Sequence, residues 1–326
     1  MTTPPAPNAI EIEILPGRAL ARVFSHEVAV RSGRVACWTY VTQGLAALGQ
    51  PELALSLRRA PEARLEMARP EPLHLLATIA QLAADGRVVG PGDYTELGPR
   101  GFLRPDLRGF AYQVAQPLDG VVLPPGTLSC IGLLTAELEV AKRFGALRVL
   151  ARLGRDSAFF PTALWCDPER TAVASPDEAS ILDGVASALF PGVTVTLQGR
   201  AIHLVVPRRV APQLAEALPS LPANAALALL ATLAPDADAC LVWSPGQVGA
   251  QAISPAGSQA ARMAGNFLLL VPEQRADGGN PFEDGFAYLL TDASHKLMRW
   301  ALGTGTAVEL AADGGEGKSL QLSWSD

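Results

Sequence analysis

Short stretches of alternating apolar and polar residues recur along the chain, and this alternation predicts strands. In the first half, isoleucines alternate with glutamates at 10–15, and similar stretches at 35–45 and 52–59 flank a Gly49-Gln50-Pro51 turn. Because successive side chains of a strand point to opposite faces, the first stretch indicates a half-buried strand and the other two a hairpin. Apolar segments near 110–116 and 128–138 predict two further strands.

Two stretches of the first half have helical spacing instead. Leucines and an isoleucine recur three or four residues apart within 72–86, and Gly86 provides a C-terminal stop. Residues 137–154 also predict one helix, which closes the first half.

The second half alternates more regularly. Residues 193–198 and 201–207 flank a Gly199-Arg200 turn and predict a hairpin. Pro212 suits the first turn of a short helix, and Asp292 or Ser294 caps a helix that runs through Trp300 and ends at Gly303. Short segments bounded mostly by Gly, Pro, Asp or Asn predict further strands at 226–233, 239–245, 248–254, 266–272, 286–291, 307–312 and 320–325.

This order of elements favours an α+β fold with mixed, largely antiparallel sheets, flanking helices and two subdomains, because strand and helix do not alternate steadily. Residues 161–180 mix Pro, Asp, Ser and Ala without periodicity and indicate a linker. We therefore expect a disordered lead at 1–8, a first subdomain at 9–160 and a second at 181–326.

Composition and charge exclude several classes of protein. The chain has 326 residues, 49% of them apolar, and its net charge of −6 comes without a basic cluster. A nucleic-acid partner is not expected, because phosphate binding needs clustered basic residues. The apolar run at 225–234 is about half the length of a membrane span, and the N-terminus lacks the features of a secretory signal. We expect a cytoplasmic protein that does not insert into membranes.

The candidate catalytic and ligand-binding residues do not form a known constellation. The cysteines lack the spacing of a zinc site or a disulfide framework, and they read as reduced, mostly buried thiols: Cys37, Cys130, Cys166 and Cys240. Lys318 and Ser319 end a glycine-rich stretch that resembles part of a phosphate-binding loop. Its first position is Ala312 rather than Gly, and a strand-like segment follows where a helix is needed. A Gly-rich hairpin turn is the interpretation we adopt there.

Cys37 and His26 form the pair closest to a cysteine nucleophile with its base. The apolar, strand-like surroundings of Cys37 favour a core position. His203 and His295 are interpreted as surface residues. Asp236 and Asp238 are interpreted as a solvated turn before a strand. Asp277, Glu283 and Asp284 lie in a loop-like segment that lacks the alternate-oxygen spacing of an EF-hand, so a cation would be held there only by accident of folding. The residues therefore predict no catalytic, cofactor-binding or metal site.

One set of motifs resembles a known family. The stretch CWTYVTQGLAALGQPEL, the segment RVLARLGR ending at Arg155, and ADACLVW at 237–243 are similar to the C-terminal region of the Smad anchor for receptor activation and endofin. The first half, roughly 20–155, also resembles Suppressor-of-fused domains. The matching positions, interpreted as mainly structural, include Trp38, Tyr40, Thr42, Gly44, Gly49, Gln50, Glu52, Gln251, Gly265 and Phe267.

The resemblance implies a non-enzymatic domain that binds another protein without a cofactor. In the animal anchors the region is an interaction part of a scaffold, but the zinc finger and Smad-binding segment of those anchors have no counterpart here. We hypothesise an adaptor, bacterial by its composition, that binds its partner through an edge strand or a groove between the halves. Two alternatives stay open, an immunity protein that neutralises a basic toxin and a cysteine-dependent hydrolase.

Overall fold

The computed structural model describes residues 9–313 and 317–326, so the expected lead at 1–8 lies outside the described residues. The chain divides into two compact units, each described here by itself. Each unit combines helix with a mixed, largely antiparallel sheet, so the predicted α+β class is confirmed. The first unit holds the chain up to Leu138 with 157–159 and 163–172, and the second holds 139–156, 160–162 and 173–326.

The first unit contains eight strands and one helix, numbered in chain order along the whole chain. They are β1 (Ala9–Leu15), β2 (Ala19–Val30), β3 (Gly33–Gln43), β4 (Leu53–Arg58), α1 (Glu71–Ala84), β5 (Tyr94–Glu96), β6 (Leu107–Val114), β7 (Leu128–Leu134) and β8 (Trp165–Cys166). The strands form one sheet in the order β1-β2-β3-β4-β7-β6-β5, with β8 beside β4.

The predicted hairpin and helix form the core of this unit. Strands β3 and β4 pair antiparallel, as the turn at Gly49 indicates. Trp38 and Tyr40 point to one face of the sheet, where they share a buried cluster with Leu76 and Ile79 of α1. Burial of each such side chain contributes about 1.5–3 kcal/mol, so this cluster is the main source of stability for the unit.

The second unit contains the remaining elements. They are α2 (Thr135–Phe144), of which 139–144 belong here, α3 (Ala146–Ser157), β9 (Ala186–Gln198), β10 (Ala201–Pro207), α4 (Ala211–Ala217), β11 (Leu227–Thr232), β12 (Ala239–Val242), β13 (Gln251–Ile253), β14 (Arg262–Gly265), β15 (Phe267–Val271), β16 (Gly278–Phe282), β17 (Gly285–Leu289), α5 (Asp292–Thr304), β18 (Val308–Leu310) and β19 (Ser319–Ser325).

Strand β9 is the centre of the second sheet, which has 11 strands. The C-terminal part of β9 pairs antiparallel with β10, as predicted, and with β14. Its N-terminal part pairs in parallel with β11. The inward side chains of the β9–β10 hairpin, such as Val195 and Leu204, are fully buried in the core of this unit.

Several predicted boundaries are wrong, and each has a local cause. The single helix predicted at 137–154 is two helices, because Gly145 breaks it with φ +93°. Residues 277–284 are not a plain loop, since 278–282 form β16. Helix α5 takes Thr291 as its N-cap and continues past Gly303 to Gly305.

The two units do not follow the predicted division of the chain. Residues 139–156 cluster with the second unit, although the sequence assigned them to the first subdomain at 9–160. The segment predicted as a linker at 161–180 is shared, with 163–172 in the first unit and 173–180 in the second. Each unit is therefore made of several stretches that are separated along the chain.

Candidate functional site

The motif residues of the first unit build a turn. The Glu52 carboxylate accepts hydrogen bonds from the Thr42 hydroxyl at 2.7 Å and from the backbone N–H groups of Gly44 at 2.8 Å and Ala46 at 3.2 Å. The Thr42 hydroxyl in turn accepts from the Leu53 N–H at 2.8 Å. Because both carboxylate oxygens and the hydroxyl of this buried network accept from backbone or hydroxyl donors, the residues hold the β3–β4 connection.

Gln50 joins this turn to the strand-rich region beyond α1. Its side-chain oxygen accepts from the Val89 N–H at 2.7 Å, and its amide nitrogen donates to the Val89 carbonyl at 3.1 Å. Trp38 and Tyr40 lie in the core, where the Tyr40 hydroxyl donates to the Arg69 carbonyl at 2.7 Å. Burial raises the pKa of Tyr40, so this phenol stays protonated and acts as a donor.

Cys37 and His26 are opposite each other on β3 and β2, but no described hydrogen bond joins their side chains. Burial raises the pKa of the Cys37 thiol to about 12, so the thiolate is scarce near neutral pH. His26 Nε2 bonds to the Thr39 hydroxyl at 2.7 Å, and among the described residues Nδ1 has no hydrogen-bond partner. The Cys37 thiol instead donates to the Val35 carbonyl at 3.7 Å.

The glycine-rich stretch before β19 does not have the geometry of a phosphate-binding loop. Residues 314–316 lie outside the described residues. Lys318 forms an isolated bridge with Gly279, and Ser319 begins β19 instead of a helix. A phosphate site of this kind needs a helix N-terminus directed at the phosphate, and no helix follows Ser319 in the described chain.

The motif residues of the second unit lie in its sheet. Gly265 and Phe267 flank Asn266, which is buried and bonds to two positions at the junction of α2 and α3. The Asn266 amide nitrogen donates to the Phe144 carbonyl at 2.8 Å, and its oxygen accepts from the Arg148 N–H at 3.1 Å. Gln251 is exposed on β13. His295 is buried on α5 rather than exposed as predicted.

Arg148, inside the segment RVLARLGR, is the centre of a buried ionic cluster. Its side chain has no exposed area, and it donates to both oxygens of Asp284 at 2.9 and 2.6 Å and to Glu283 at 2.8 Å. Burial opposes its charge, but Asp284 and Glu283 outweigh that effect and raise the pKa of Arg148. The rings of Phe144 and Trp243 lie 4.8 and 5.7 Å from the guanidinium carbon.

The cluster also fixes residues 175–184, which we call the approach segment because they lead into β9. Arg152 donates to both oxygens of Glu178 at 2.6 and 2.7 Å. Glu283 accepts from the Ser180 hydroxyl at 2.6 Å and from the Ile181 N–H at 2.8 Å. Arg143 forms an ion pair with Asp183. Charged side chains of the unit thus hold the approach segment in place before β9.

Residues 186–190 of β9 form a free edge in the middle of the sheet. Thr194 pairs with Val205 of β10 on one side and with Thr232 of β11 on the other, so these two strands lie on opposite sides of β9. Strand β11 continues alongside 186–189, whereas β10 pairs only with 194–198. Within the described chain no strand lies beside 186–190 on the β10 side.

A groove borders this free edge, and we call it the edge groove. One wall is the free edge itself, and its base includes Leu227 and Leu229 of β11. The other wall is α4 with the short 3-10 turn that follows it, and it contributes Leu214, Ala217, Leu218, Ser220 and Leu221. Apart from two serines, each side chain that lines the groove is apolar.

The size and chemistry of the edge groove limit what it can hold. Its volume of about 210 Å³ lies below the roughly 300–1,000 Å³ of typical small-molecule pockets. No charged side chain lines it, so a charged ligand would lose its hydration without gaining a partner. The groove suits a few apolar side chains of an extended segment better than a cofactor.

A wider depression of about 460 Å³ lies in the first unit at the β1–β2 hairpin. Two acidic side chains that line it are already engaged. Glu11 pairs with Arg22 at 2.8 Å, and Glu13 accepts from the Gly17 N–H at 2.6 Å. This depression therefore offers a less specific site than the edge groove.

The sequence analysis missed the strand that forms the free edge. It placed the start of this strand at Val193, because Pro191 and Gly192 signal a turn. In the structure both residues lie inside β9. Proline within a strand is confined to edges and bulges, so Pro191 was the available signal for an unpaired edge.

No helix among the described residues is long and apolar enough to cross a membrane. Within 9–313 and 317–326, no group of three His, Cys, Asp or Glu side chains is placed to hold a metal ion. Comparison with protein-family models gives no match, and comparison with curated proteins gives none either.

Proposed function

We propose that the chain is a protein-binding module that takes up an extended apolar segment of a partner protein at the edge groove. The observation that carries this proposal is the free edge at 186–190 beside an uncharged apolar groove. An unpaired strand edge offers backbone donors and acceptors to an added strand, and neighbouring pockets select its side chains. The resemblance to the C-terminal region of the Smad anchors, an interaction region, points to the same class of function.

The buried ionic cluster supports this function by fixing the site in advance. A segment that binds a strand edge gains affinity when the edge is already ordered, since ordering costs free energy on binding. The approach segment is held by ion pairs to Arg143 and Arg152 and by hydrogen bonds to Glu283. We expect the free edge to be preformed in the unbound protein.

Selection of short random peptides on the purified protein tests the proposal. We expect recovery of peptides with alternating apolar residues that bind by fluorescence polarisation. Ala186 is exposed and lines the edge groove on the same sheet face as its pairing partner Leu227, so Ala186→Glu places a charge there without disturbing the core. This variant should weaken binding at least tenfold, because the new charge meets an uncharged wall.

Gln213→Glu is the matched control for this experiment. Gln213 is exposed on α4 but does not line the edge groove, so the variant carries the same added charge on a neighbouring element. We expect it to bind selected peptides as the unaltered protein does. Equal binding by all three proteins, or recovery of no peptide, would contradict the proposed function.

A further inference from the structure

One end of the edge groove is closed by strand β10. Strand β10 runs opposite to β9 and ends at Pro207, close to Gly192. A Cβ atom at Gly192 would lie 3.1 Å from Pro207 Cγ, and Gly192 has φ +82°. A segment added beside 186–190 therefore cannot continue in line past Gly192. It must end there or turn away from the sheet.

A cation stands at this closed end. Arg209 is the second residue after β10, and its Nη2 donates to the Pro191 carbonyl at 3.3 Å. A Cβ at Gly192 would lie 2.9 Å from the same Nη2, so the glycine makes room for the guanidinium. Arg209 is exposed, and no carboxylate of the described residues forms an ion pair with it. Arg209 lies beyond the groove lining, which carries no charge and whose last residue on β9 is Phe190, next to Pro191.

We propose, building on the function proposed above, that the edge groove receives the carboxyl end of a partner chain. The last residues would add beside 186–190, and the terminal carboxylate would pair with Arg209. A chain end is the one part of a polypeptide that both stops at the barrier and carries a backbone negative charge. A planar guanidinium matches a carboxylate in charge and in hydrogen-bond geometry.

The polarity of the bound segment follows from the position of the cation. A carboxyl end at Pro191 means that the segment runs in the same direction as β9, from residue 186 towards residue 190. Strand β11 already pairs with β9 in this parallel sense on the opposite side. The added segment and β11 would then lie on opposite sides of residues 186–190, and both would run parallel to β9. Its apolar side chains would face Leu214 and Leu218.

Selected peptides synthesised in matched forms test this assignment. Each peptide is N-acetylated and made either with a free terminal carboxylate or with a terminal amide. We expect the free acid to bind roughly twofold to fivefold more tightly, the range of a partly exposed ion pair. In Arg209→Gln this difference should disappear, whereas the affinity for the amide should stay the same.

The other outcomes separate this inference from the function on which it rests. Equal affinity for acid and amide would overturn the chain-end assignment while leaving binding at the edge groove intact. A further amidated peptide carries aspartate in its last position. If it binds as tightly as the free acid, Arg209 pairs with a side-chain carboxylate, and the chain-end assignment is overturned. Failure of both peptide forms to bind would instead contradict the proposed function.

Discussion

At the residue scale, the two glycines of the stretch CWTYVTQGLAALGQPEL are required for different structural reasons. Gly44 has φ +110°, and a Cβ there would lie 2.3 Å from the Arg18 carbonyl oxygen. Gly49 has φ +78°, but a Cβ there would meet nothing within 4 Å. Gly44 therefore needs both left-handed backbone and close approach, whereas Gly49 needs only the backbone conformation.

These two positions predict unequal losses of stability. Gly49→Ala should lower the free energy of unfolding by about 1–2 kcal/mol, the cost of a left-handed alanine. Gly44→Ala should cost more, because the turn at Arg18 must also shift. Urea denaturation of both variants measures the difference, and an equal loss would show that the contact with Arg18 does not matter.

His26 shows what a single buried imidazole does to the pH dependence of stability. Burial, helped by the nearby Arg59, lowers the pKa of His26 from 6.5 to about 4, although Asp119 acts in the opposite direction. Below pH 6.5 the unfolded chain takes up a proton that the folded chain refuses. Stability is therefore lost as the pH falls from 6.5 towards 4.

The size of this effect predicts a measurable pH slope. Lowering the pKa of His26 from 6.5 to about 4 corresponds to roughly 3 kcal/mol of unfolding free energy. His26→Gln removes the titrating group and should lose less stability over this pH range by about that amount. Parallel curves of unfolding free energy against pH for the two proteins would rule out this role of His26.

At the element scale, the ionic cluster around Arg148 joins α3 to the β16–β17 turn. Both carboxylate oxygens of Asp284 accept hydrogen bonds from Arg148, and neither side chain is exposed by more than 1%. Removing one partner of a buried pair leaves the other charge without compensation, which typically costs about 3–5 kcal/mol. We therefore expect a large loss of unfolding free energy when either partner of the Arg148–Asp284 pair is removed.

Asp284→Ala tests this reasoning against an exposed pair. We expect a loss of about 3–5 kcal/mol in unfolding free energy, together with loosening of the approach segment. Glu27→Ala breaks the exposed pair with Arg34 and should cost less than about 1 kcal/mol. Similar losses in the two variants would mean that Arg148 finds water or another partner when Asp284 is absent.

Elements with strong local signals could be predicted from the sequence, and those set by distant contacts could not. The helix at 72–86 and the hairpin at 193–207 were predictable, because their spacing and turn residues are local. The break at Gly145 was not, since it adjoins Asn266, far away in sequence. The proline in β9 likewise obscured the free edge.

At the scale of the whole molecule, the proposed function depends on where a strand lacks a neighbour. Strand pairing depends on contacts across the whole sheet. The end of β10 beside Gly192 therefore could not be predicted from any single stretch of sequence. The candidate residues Cys37 and Lys318 carried chemical signals in the sequence, but the proposed function rests on neither of them. The edge groove consists of ordinary apolar residues, and only the topology of the second unit identifies it.

Hydrogen exchange with mass spectrometry, with and without a selected peptide, tests the central claim most directly. We expect the backbone amides of 186–190 to become protected when the peptide binds, because an added strand pairs with the free edge. Residues 194–198, already paired on both sides, should not change. Protection of another surface, such as β13 or the β1–β2 hairpin, with 186–190 unchanged would contradict binding at the edge groove.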